Sequence, residues 1–306
     1  MNRSSARVIA VVILLLLSNP VRTSSQQPPE KTTGSTPEVA GRPQEEAAFQ
    51  QLREALADRA DTYKDEALGF TCRETVIEAK YDVETAGHKN SKTYNYDYLF
   101  EERVDGALRE YRQLLEKTRA GEWKRRRADF EPPVPPAYLW AEIFSRDNEG
   151  RFNFRPAGQV VRAHRLLNLI DFIGIAPNPG GSKIDGWSGQ VAVDARSLNL
   201  WSISAEPTGQ HVRLEVEVMK YNKAFAIAGV PLAARPHGWH LDVTFGFERE
   251  GLSYPTQQVL SMTSLARDQE MRVQEKTSFK YEDYRFFVPE ITAEEYISPP
   301  PADAKP

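Results

Sequence analysis

Cysteine is nearly absent from this 306-residue sequence, which contains only Cys72. One cysteine cannot form an internal disulfide, so the fold must be held together by its core. Cys72 also lies far downstream of the N-terminal apolar run, whereas a lipid-modified signal needs a cysteine directly after that run. We interpret Cys72 as a small buried side chain rather than a reactive thiol, since no base is identifiable beside it.

Apolar runs of membrane-spanning length are also missing. At the N-terminus, two arginines precede an apolar run at residues 8–17, and Pro20 follows it. A spanning helix needs roughly 20 apolar residues, about twice the length of this run. We therefore favour a secretory signal peptide at residues 1–25, cleaved after Ser25, over an uncleaved anchor. This predicts a periplasmic or secreted protein.

The sequence has no excess of basic residues. Without the three arginines of the predicted signal, 36 basic side chains stand against 43 acidic ones, a net charge of −7 with neutral histidine. A basic surface is the electrostatic requirement for binding the phosphate backbone, and the opposite excess repels it. We predict no nucleic-acid partner.

Composition divides the remaining chain into three parts. Residues 26–44 are rich in Gln, Pro, Thr and Ser without apolar periodicity, which predicts a disordered leader. Residues 298–306 contain four prolines and predict a flexible tail. The 45–297 part is long enough to bury the core of a single β-rich globular domain.

One amphipathic helix is predicted at the start of this domain. Glu45 and Glu46 suit its first turn and Gly69 its end. Its apolar residues recur at spacings of three and four: Phe49, Leu52, Leu56, Ala60, Tyr63 and Ala67. This stripe must cover another element, and the following sequence offers a sheet.

After Gly69 the apolar period changes to two. Alternation is clear at residues 94–100, 212–218 and 241–247, each of which predicts a strand with one wet face. Weaker strand patterns cover residues 70–81, 107–118, 160–175, 189–193, 200–205 and 270–284. One-sided strands are typical of antiparallel sheets, so we predict an α+β fold that is mainly antiparallel β. A proline-rich connector at 132–136 precedes a short apolar piece at 138–144 that fits a small helix.

The sequence patterns that would indicate a catalytic or metal site are weak. Glu215 and Glu217 would lie about 7 Å apart on one strand face, a separation that glycosidases use, but exposed strands commonly carry alternating acids. Ser188 lacks the spacing of a nucleophile elbow and is better explained as a turn residue. His237 and His240 would point to opposite strand faces. We predict no catalytic residue, no metal site and no cofactor.

A basic run, Lys124, Arg125, Arg126 and Arg127, follows Trp123 and forms a local positive patch on an acidic protein. Such a patch suits contact with anionic lipid headgroups or an anionic polymer at a membrane surface. A solvated hairpin tip explains it as simply.

An aromatic ladder, formed by Tyr94, Tyr96, Tyr98 and Phe100, alternates with Asn95 and Asp97. Packed under the helix, these rings would be core. On a strongly curved sheet they would line a cavity for an apolar ligand, with the tyrosine hydroxyls at its mouth. Both interpretations remain open, and we treat the ladder as a candidate ligand-binding site.

The stretch Gly189-Gln190-Val191-Ala192-Val193-Asp194-Ala195-Arg196, followed by 198–203, resembles the lipoprotein-carrier superfamily of the bacterial envelope. There, a strand ending in Val-Asp or Ile-Asp turns into an alternating strand, and the closing stretch at 281–286 is also similar. The resemblance implies a strongly curved sheet or half-barrel wrapped on the N-terminal helix, in proteins that carry acyl chains or lipoproteins. Uncharacterised exported families share these features. The turn after Asp194 lacks the usual glycine, and the prolines near 132 are an insertion.

Three functions follow as hypotheses. The first is a non-enzymatic exported protein that binds a lipid-like or other apolar ligand in the concave face of the sheet. The second is an envelope protein-interaction scaffold with a filled core and no ligand. The third is an unrecognised hydrolase.

Overall fold

The computed structural model describes residues 42–66, 69–102, 108–117, 123–127, 134–175, 184–228 and 235–287. The strands are β1 (Phe70–Tyr81), β2 (His88–Glu102), β3 (Leu108–Lys117), β4 (Trp123–Arg127), β5 (Phe152–Arg162), β6 (Arg165–Gly174), β7 (Trp187–Asp194), β8 (Leu200–Pro207), β9 (His237–Arg249), β10 (Leu252–Leu265) and β11 (Met271–Phe286). The helices are α1 (Arg42–Glu66) and α2 (Gln210–Ala228), with short 3₁₀ helices at Ala137–Glu142 and Arg146–Asn148. All strand pairs are antiparallel, so the predicted α+β, mainly antiparallel class is confirmed.

Helix α1 buries most of its predicted apolar stripe: Phe49, Leu56, Ala60 and Tyr63 are buried, and Leu52 is partly so. The helix begins at Arg42, within the end of the segment predicted as a leader, and Ala67 lies outside the described residues. Gly69 has a φ of +106°, a conformation that glycine adopts without steric cost. This residue lets the chain turn directly from the helix region into β1.

The sheet is curved and open. Its strand order is β4-β3-β2-β1-β11-β10-β9-β8-β7-β6-β5, so β2 and β6 lie seven positions apart, about 33 Å in a flat sheet. Yet the Tyr138 ring lies 3.5 Å from that of Phe100 in β2, and the Trp140 ring lies 6.1 Å from that of Phe172 in β6. Tyr138 and Trp140 are only about 4 Å apart along a 3₁₀ helix. The sheet must therefore curl around them, while β4 and β5 remain its two separate edges. The predicted half-open architecture is confirmed.

The concave face of this sheet contains the core. Alternate residues along each strand point inward and interlock across the register; in β9, for example, Leu241, Val243 and Phe245 are buried while Asp242 and Thr244 are exposed. At one end, five rings of β1, β9, β10 and β11 form an aromatic cluster whose centroids lie 4.9–6.3 Å apart: Phe70, Phe247, Tyr254, Tyr284 and Phe286. Such rings bury large areas and stabilise the junction of the first and last strands.

Residues 212–218, predicted as a strand, instead belong to α2, so that prediction is wrong. Leu214 faces β9, where its side chain lies against Gly238, whereas Val212 and Val216 are exposed on the other side of the helix. Because both sides of the helix carry apolar residues, the two sets interleave and imitate a period of two. The helical period is therefore hidden in the sequence.

Residues 160–175, predicted as one strand, contain a hairpin. Strand β5 ends at Arg162 and β6 begins at Arg165, with Ala163 and His164 both at positive φ (47° and 63°) in the two-residue turn. Asn-Gly or Asp-Gly is the usual signal for such a turn. Without that signal, the strand break could not be recognised.

Two strands were not predicted. Strand β10 has register shifts around Pro255, and these interrupt its alternation. Strand β4 consists of Trp123 and the basic run, a composition that gave no sign of burial. The piece predicted as a small helix is confirmed as the 3₁₀ helix Ala137–Glu142.

The turn after Asp194 uses a carboxylate and a strained residue in place of glycine. Asp194 Oδ1 accepts hydrogen bonds from the backbone N–H groups of Arg196 and Ser197, both at 2.9 Å. Leu198 has a φ of +60°, the conformation that a glycine would adopt easily. Partial burial raises the pKa of Asp194, but these donors outweigh it and hold that pKa below its usual value. The predicted motif thus forms a tight β7–β8 connection.

Candidate functional site

The aromatic ladder lies on the concave face. Tyr96, Tyr98 and Phe100 are buried, and Tyr94 is partly buried against the same core. The ladder faces the segment Val134–Asn148, which includes both 3₁₀ helices and which we call the plug. Tyr138 of the plug packs against the Phe100 and Tyr98 rings. The ladder therefore contacts protein side chains, and its role in ligand binding stays a prediction.

The plug fills the concavity between the two halves of the sheet. Its buried apolar side chains are Val134, Ala137, Tyr138, Trp140, Ala141, Ile143 and Phe144. Trp140 is fully buried and lies 6.1 Å from both Phe172 and Trp187. Near Tyr63 and Leu252, the cavity between α1 and the sheet has a volume of only about 20 Å³, whereas a pocket of about 190 Å³ lies between α1 and the plug near Phe144 and Phe154. The space around Trp140 is thus occupied by the chain itself.

Two donors in this interior have no hydrogen-bond partner. The indole Nε1 of Trp140 and the hydroxyl of Tyr63 are both buried and unpaired. A buried polar group without a partner costs about 1–3 kcal/mol. Burial raises the pKa of Tyr63 well above its ordinary value, so its hydroxyl stays protonated and remains a donor. The plug and α1 therefore each hold one buried donor that has no hydrogen-bond partner among the described residues.

A charged network adjoins the aromatic ladder. The Arg112 guanidinium donates to both carboxylate oxygens of Glu74, at 2.7 and 3.0 Å, and to Glu110 Oε1 at 3.2 Å. The Tyr98 hydroxyl donates to the same Glu110 oxygen at 2.8 Å, and the Arg112 guanidinium carbon lies 4.9 Å from the Tyr98 ring centroid. Glu74 is fully buried. Burial raises the pKa of Glu74 despite the opposing effect of Arg112.

This network places charged groups on the concave face, beside residues 96–100 of the ladder. Sequence reasoning missed it because Glu74, Glu110 and Arg112 lie on three strands, and only the register brings them together. Near it, the Gln258 amide donates to the Pro135 carbonyl at 2.9 Å and tethers the start of the plug. A buried guanidinium beside tyrosine hydroxyls can recognise a carboxylate or phosphate.

Exposed ion pairs join the plug to α1. The Arg146 guanidinium contacts Asp58 and Asp61, and Lys64 contacts Asp147. Exposed pairs of this kind contribute about 0–1 kcal/mol each. The plug is therefore held mainly by its buried aromatic side chains.

A Ser–His–Asp grouping lies on the outer face, and no local sequence pattern predicts it. His240 Nε2 is 3.1 Å from Ser204 Oγ and 3.2 Å from Asp242 Oδ1. A catalytic triad needs the serine and the carboxylate on different ring nitrogens, because the carboxylate must orient the base. Here one nitrogen faces both groups, so this geometry does not activate the serine.

The other sequence candidates are dispersed. Glu215 and Glu217 lie on α2 and pair with residues four earlier, His211 at 3.1 Å and Arg213 at 3.8 Å. Residues two apart project from different sides of a helix, so the predicted shared strand face is wrong. Ser188 lies within β7 rather than in a turn. Within the described residues, no cluster of three or more His, Cys, Asp or Glu side chains could hold a metal ion.

The basic run Lys124–Arg127 lies in β4, which pairs with β3 at one edge of the sheet. The side chains of Lys124, Arg125, Arg126 and Arg127 lie outside the described part of the structure. Their contact with an anionic surface stays a prediction. Among the described helices, none is long and apolar enough to cross a membrane.

A groove of about 240 Å³ opens on the outer face, opposite the charged network. Arg73 and Asp283 line it and form an ion pair at 3.2 Å, with Arg285 beside them. Cys72 borders the groove but is buried, as predicted, and burial raises the pKa of its thiol. Charged side chains line part of this groove, unlike the apolar pocket that we expected in the concave face.

No protein-family model matches the sequence, and no curated protein matches it. Solved structures are similar at 10% identity. A LolA superfamily protein from Nitrosomonas europaea has a TM-score of 0.37, with 77% of this chain and 94% of the other covered. A putative outer membrane lipoprotein-sorting protein domain from Vibrio parahaemolyticus has a TM-score of 0.37, with 78% of this chain and 94% of the other covered. A DUF1329 family protein from Desulfovibrio piger has a TM-score of 0.39, with 78% of this chain and 93% of the other covered. The structures found include the superfamily that the stretch at 189–196 resembles. At these scores the likeness supports no statement about function.

Proposed function

We propose that this chain is a non-enzymatic exported protein that binds a lipid-like or other apolar ligand in the concave face of its sheet, in place of the plug. The observation that carries this proposal is the pair of unpaired buried donors, Trp140 Nε1 and Tyr63 OH. A filled core built only for stability would have apolar side chains or satisfied donors at these positions. A ligand with an oxygen acceptor would satisfy the Tyr63 hydroxyl, which stays on α1, and displacement of the plug would expose the Trp140 indole to water.

The contacts of the plug support its displacement. Its polar links to α1 are exposed ion pairs, and we find one side-chain tether to β10, from Gln258 to Pro135, among the described hydrogen bonds. The rings of Tyr138 and Trp140 occupy the space between the sheet halves. When they leave, the aromatic ladder becomes the wall of an apolar cavity.

The charged network would set the orientation of the ligand. Arg112 is almost fully buried beside the ladder and is held by Glu74 and Glu110. An anionic ligand group can replace Glu110 at the guanidinium, because Glu110 makes one bond to Arg112 whereas Glu74 makes two. The ligand tail would then extend along Tyr94, Tyr96, Tyr98 and Phe100.

Binding of dansyl-undecanoic acid tests this proposal. We expect the wild type to enhance dansyl emission and Trp140→Ala to bind the probe about tenfold more tightly, since the truncated plug no longer fills the cavity. Trp201→Ala is the matched control, because Trp201 lies outside the buried core, under the Arg165 guanidinium at 5.5 Å. Mass spectrometry of an organic extract would identify any ligand that copurifies.

A filled interior also suits the second candidate, a protein-interaction scaffold without ligand. The full burial of Trp140 and the cavity of only about 20 Å³ near Tyr63 favour it. If neither the wild type nor Trp140→Ala binds the probe and the extract contains no ligand, the scaffold replaces the carrier. Under both the carrier and the scaffold proposal, the basic run at residues 124–127 would contact an anionic surface. Its replacement by glutamine would weaken binding to anionic vesicles.

A further inference from the structure

Helix α2 exposes an apolar stripe that the carrier proposal does not use. The stripe consists of Val212, Val216, Met219 and Ile227, whose spacings of four, three and eight place them on one side of the helix. Met219 is 70% exposed and Ile227 is 79% exposed. Long apolar side chains with this exposure on one helix face are typical of an interaction surface.

The opposite side of α2 is fixed to the sheet. Gln210 is buried, accepts a hydrogen bond from the Trp239 backbone N–H at 2.6 Å and donates to the Trp239 carbonyl at 2.8 Å. Leu214 packs at Gly238, and Tyr221 is buried. Since these residues hold the helix, the stripe has a defined direction away from β9.

Charge indicates what the stripe contacts. The first half of α2 contains Glu215 and Glu217, each beside a basic partner, but residues 218–241 contain no acid in a chain with 43 of them. No longer acid-free stretch occurs after the first glutamate, Glu30. From Met219 to the end of α2, Lys220 and Lys223 are the charged residues, and Lys223 lies one turn from both Met219 and Ile227. An apolar surface whose charged neighbours are cations matches the interface of a bilayer that contains anionic lipids.

We propose that the C-terminal half of α2 is a membrane-docking surface, in which Met219 and Ile227 insert among the acyl chains while Lys220 and Lys223 contact anionic headgroups. The helix would lie in the plane of the interface, as amphipathic helices with an apolar face do. This surface is independent of the basic run in β4 and of ligand binding in the concave face.

A fluorophore placed on the stripe tests the proposal in the full-length chain. Met219→Cys would be labelled with the environment-sensitive probe NBD, and Val161→Cys, at an equally exposed position of β5, is the matched control. Cys72 is buried and does not compete for the label. With vesicles of phosphatidylcholine and phosphatidylglycerol, we expect a blue shift and a several-fold rise in emission at position 219 and neither at position 161. A local probe separates this contact from any effect of residues 8–17.

Charge variants then test the headgroup contact. In the Met219→Cys background, Lys220→Gln/Lys223→Gln should weaken vesicle binding about 25-fold, from about fivefold for each cation near an anionic surface. Lys89→Gln/Lys92→Gln, on the exposed β2, should leave it unchanged. No response at position 219, equal responses at positions 219 and 161, or equal effects of the two lysine pairs would overturn the proposal. A blue shift that depends on protein concentration without vesicles would assign the stripe to a second copy of the chain and overturn it as well.

Discussion

Similar types of side chain are buried on the concave face of this protein and exposed on its exterior. On the inside, Glu74 and Arg112 form a buried ion pair, whereas Arg73, the neighbour of Glu74, pairs with Asp283 in the solvent. Inside, Trp140 is fully covered; outside, Met219 is largely exposed. The same side-chain types therefore contribute very different energies, because burial determines both the hydrophobic term and the strength of the charge interaction. The interior residues decide stability and the exterior ones remain available for contacts.

The largest expected difference concerns apolar side chains. Trp140→Ala should lower the free energy of unfolding by about 3–5 kcal/mol, since it leaves a cavity in the plug. Met219→Ser should change it by less than about 0.5 kcal/mol. Urea denaturation followed by circular dichroism measures both. Similar losses for the two variants would show that α2 is packed and not exposed.

The second largest difference in stability should be between the buried ion pair of Glu74 and the exposed ion pair of Arg73. Glu74→Gln leaves the buried Arg112 with only Glu110 and should cost about 3 kcal/mol, because an unpaired buried charge is strongly unfavourable. Arg73→Gln, one residue away on the outer face, should cost less than about 1 kcal/mol. The double variant Glu74→Leu/Arg112→Leu should recover much of the loss. If Glu74→Gln is as mild as Arg73→Gln, the network is solvated and cannot serve as the charged group of a buried binding cavity.

A smaller effect on stability is expected where the plug contacts α1. Arg146→Ala removes the exposed contacts of the plug with α1 and should lower stability by only about 0.5 kcal/mol. It should nevertheless speed uptake of dansyl-undecanoic acid in stopped-flow measurements, because the plug is released more readily. Arg155→Ala removes an exposed pair with Asp171 on β5 and β6 and serves as control. Equal uptake rates in both variants would contradict movement of the plug.

The smallest effect concerns the outer-face histidine. The hydrogen bond that the His240 ring donates to Asp242 raises the pKa of His240 above its usual value of 6.5. Protonation therefore favours the folded state, so this contribution is complete below that value and is lost as the pH rises through the folded pKa. NMR titration should show a lower His240 pKa in Asp242→Asn. An unchanged pKa would mean that the two side chains do not interact in solution.

The sequence predicted those parts whose signal is local. The 3.6-residue period of α1 and the alternation in β9 each depend on one solvent-exposed side and one buried side, so both were readable. The helical period did not identify α2, because Leu214 packs on β9 while Val212 and Val216 face outward. The strand pattern did not identify the β5–β6 turn, because Ala163 and His164 adopt positive φ without a glycine or asparagine.

The candidate site divides in the same way. The aromatic ladder was visible as an alternation within one strand, although its contact with the plug was not. Glu74, Glu110 and Arg112 carried no local pattern, and neither did the Ser204, His240 and Asp242 grouping. Each of these sets joins residues on separate strands, and only the strand register brings them within hydrogen-bonding distance.

By itself, the sequence determined an acidic chain with one cysteine, one clear amphipathic helix and strands with a single apolar face. These properties depend on composition and on neighbours a few residues apart. Only the tertiary structure decided that the sheet curls around the plug, that a charged network is buried beside the ladder, and that α2 leaves an apolar stripe uncovered. The physical reason is that curvature, burial and pairing are set by contacts between residues far apart in the chain, which no local pattern encodes.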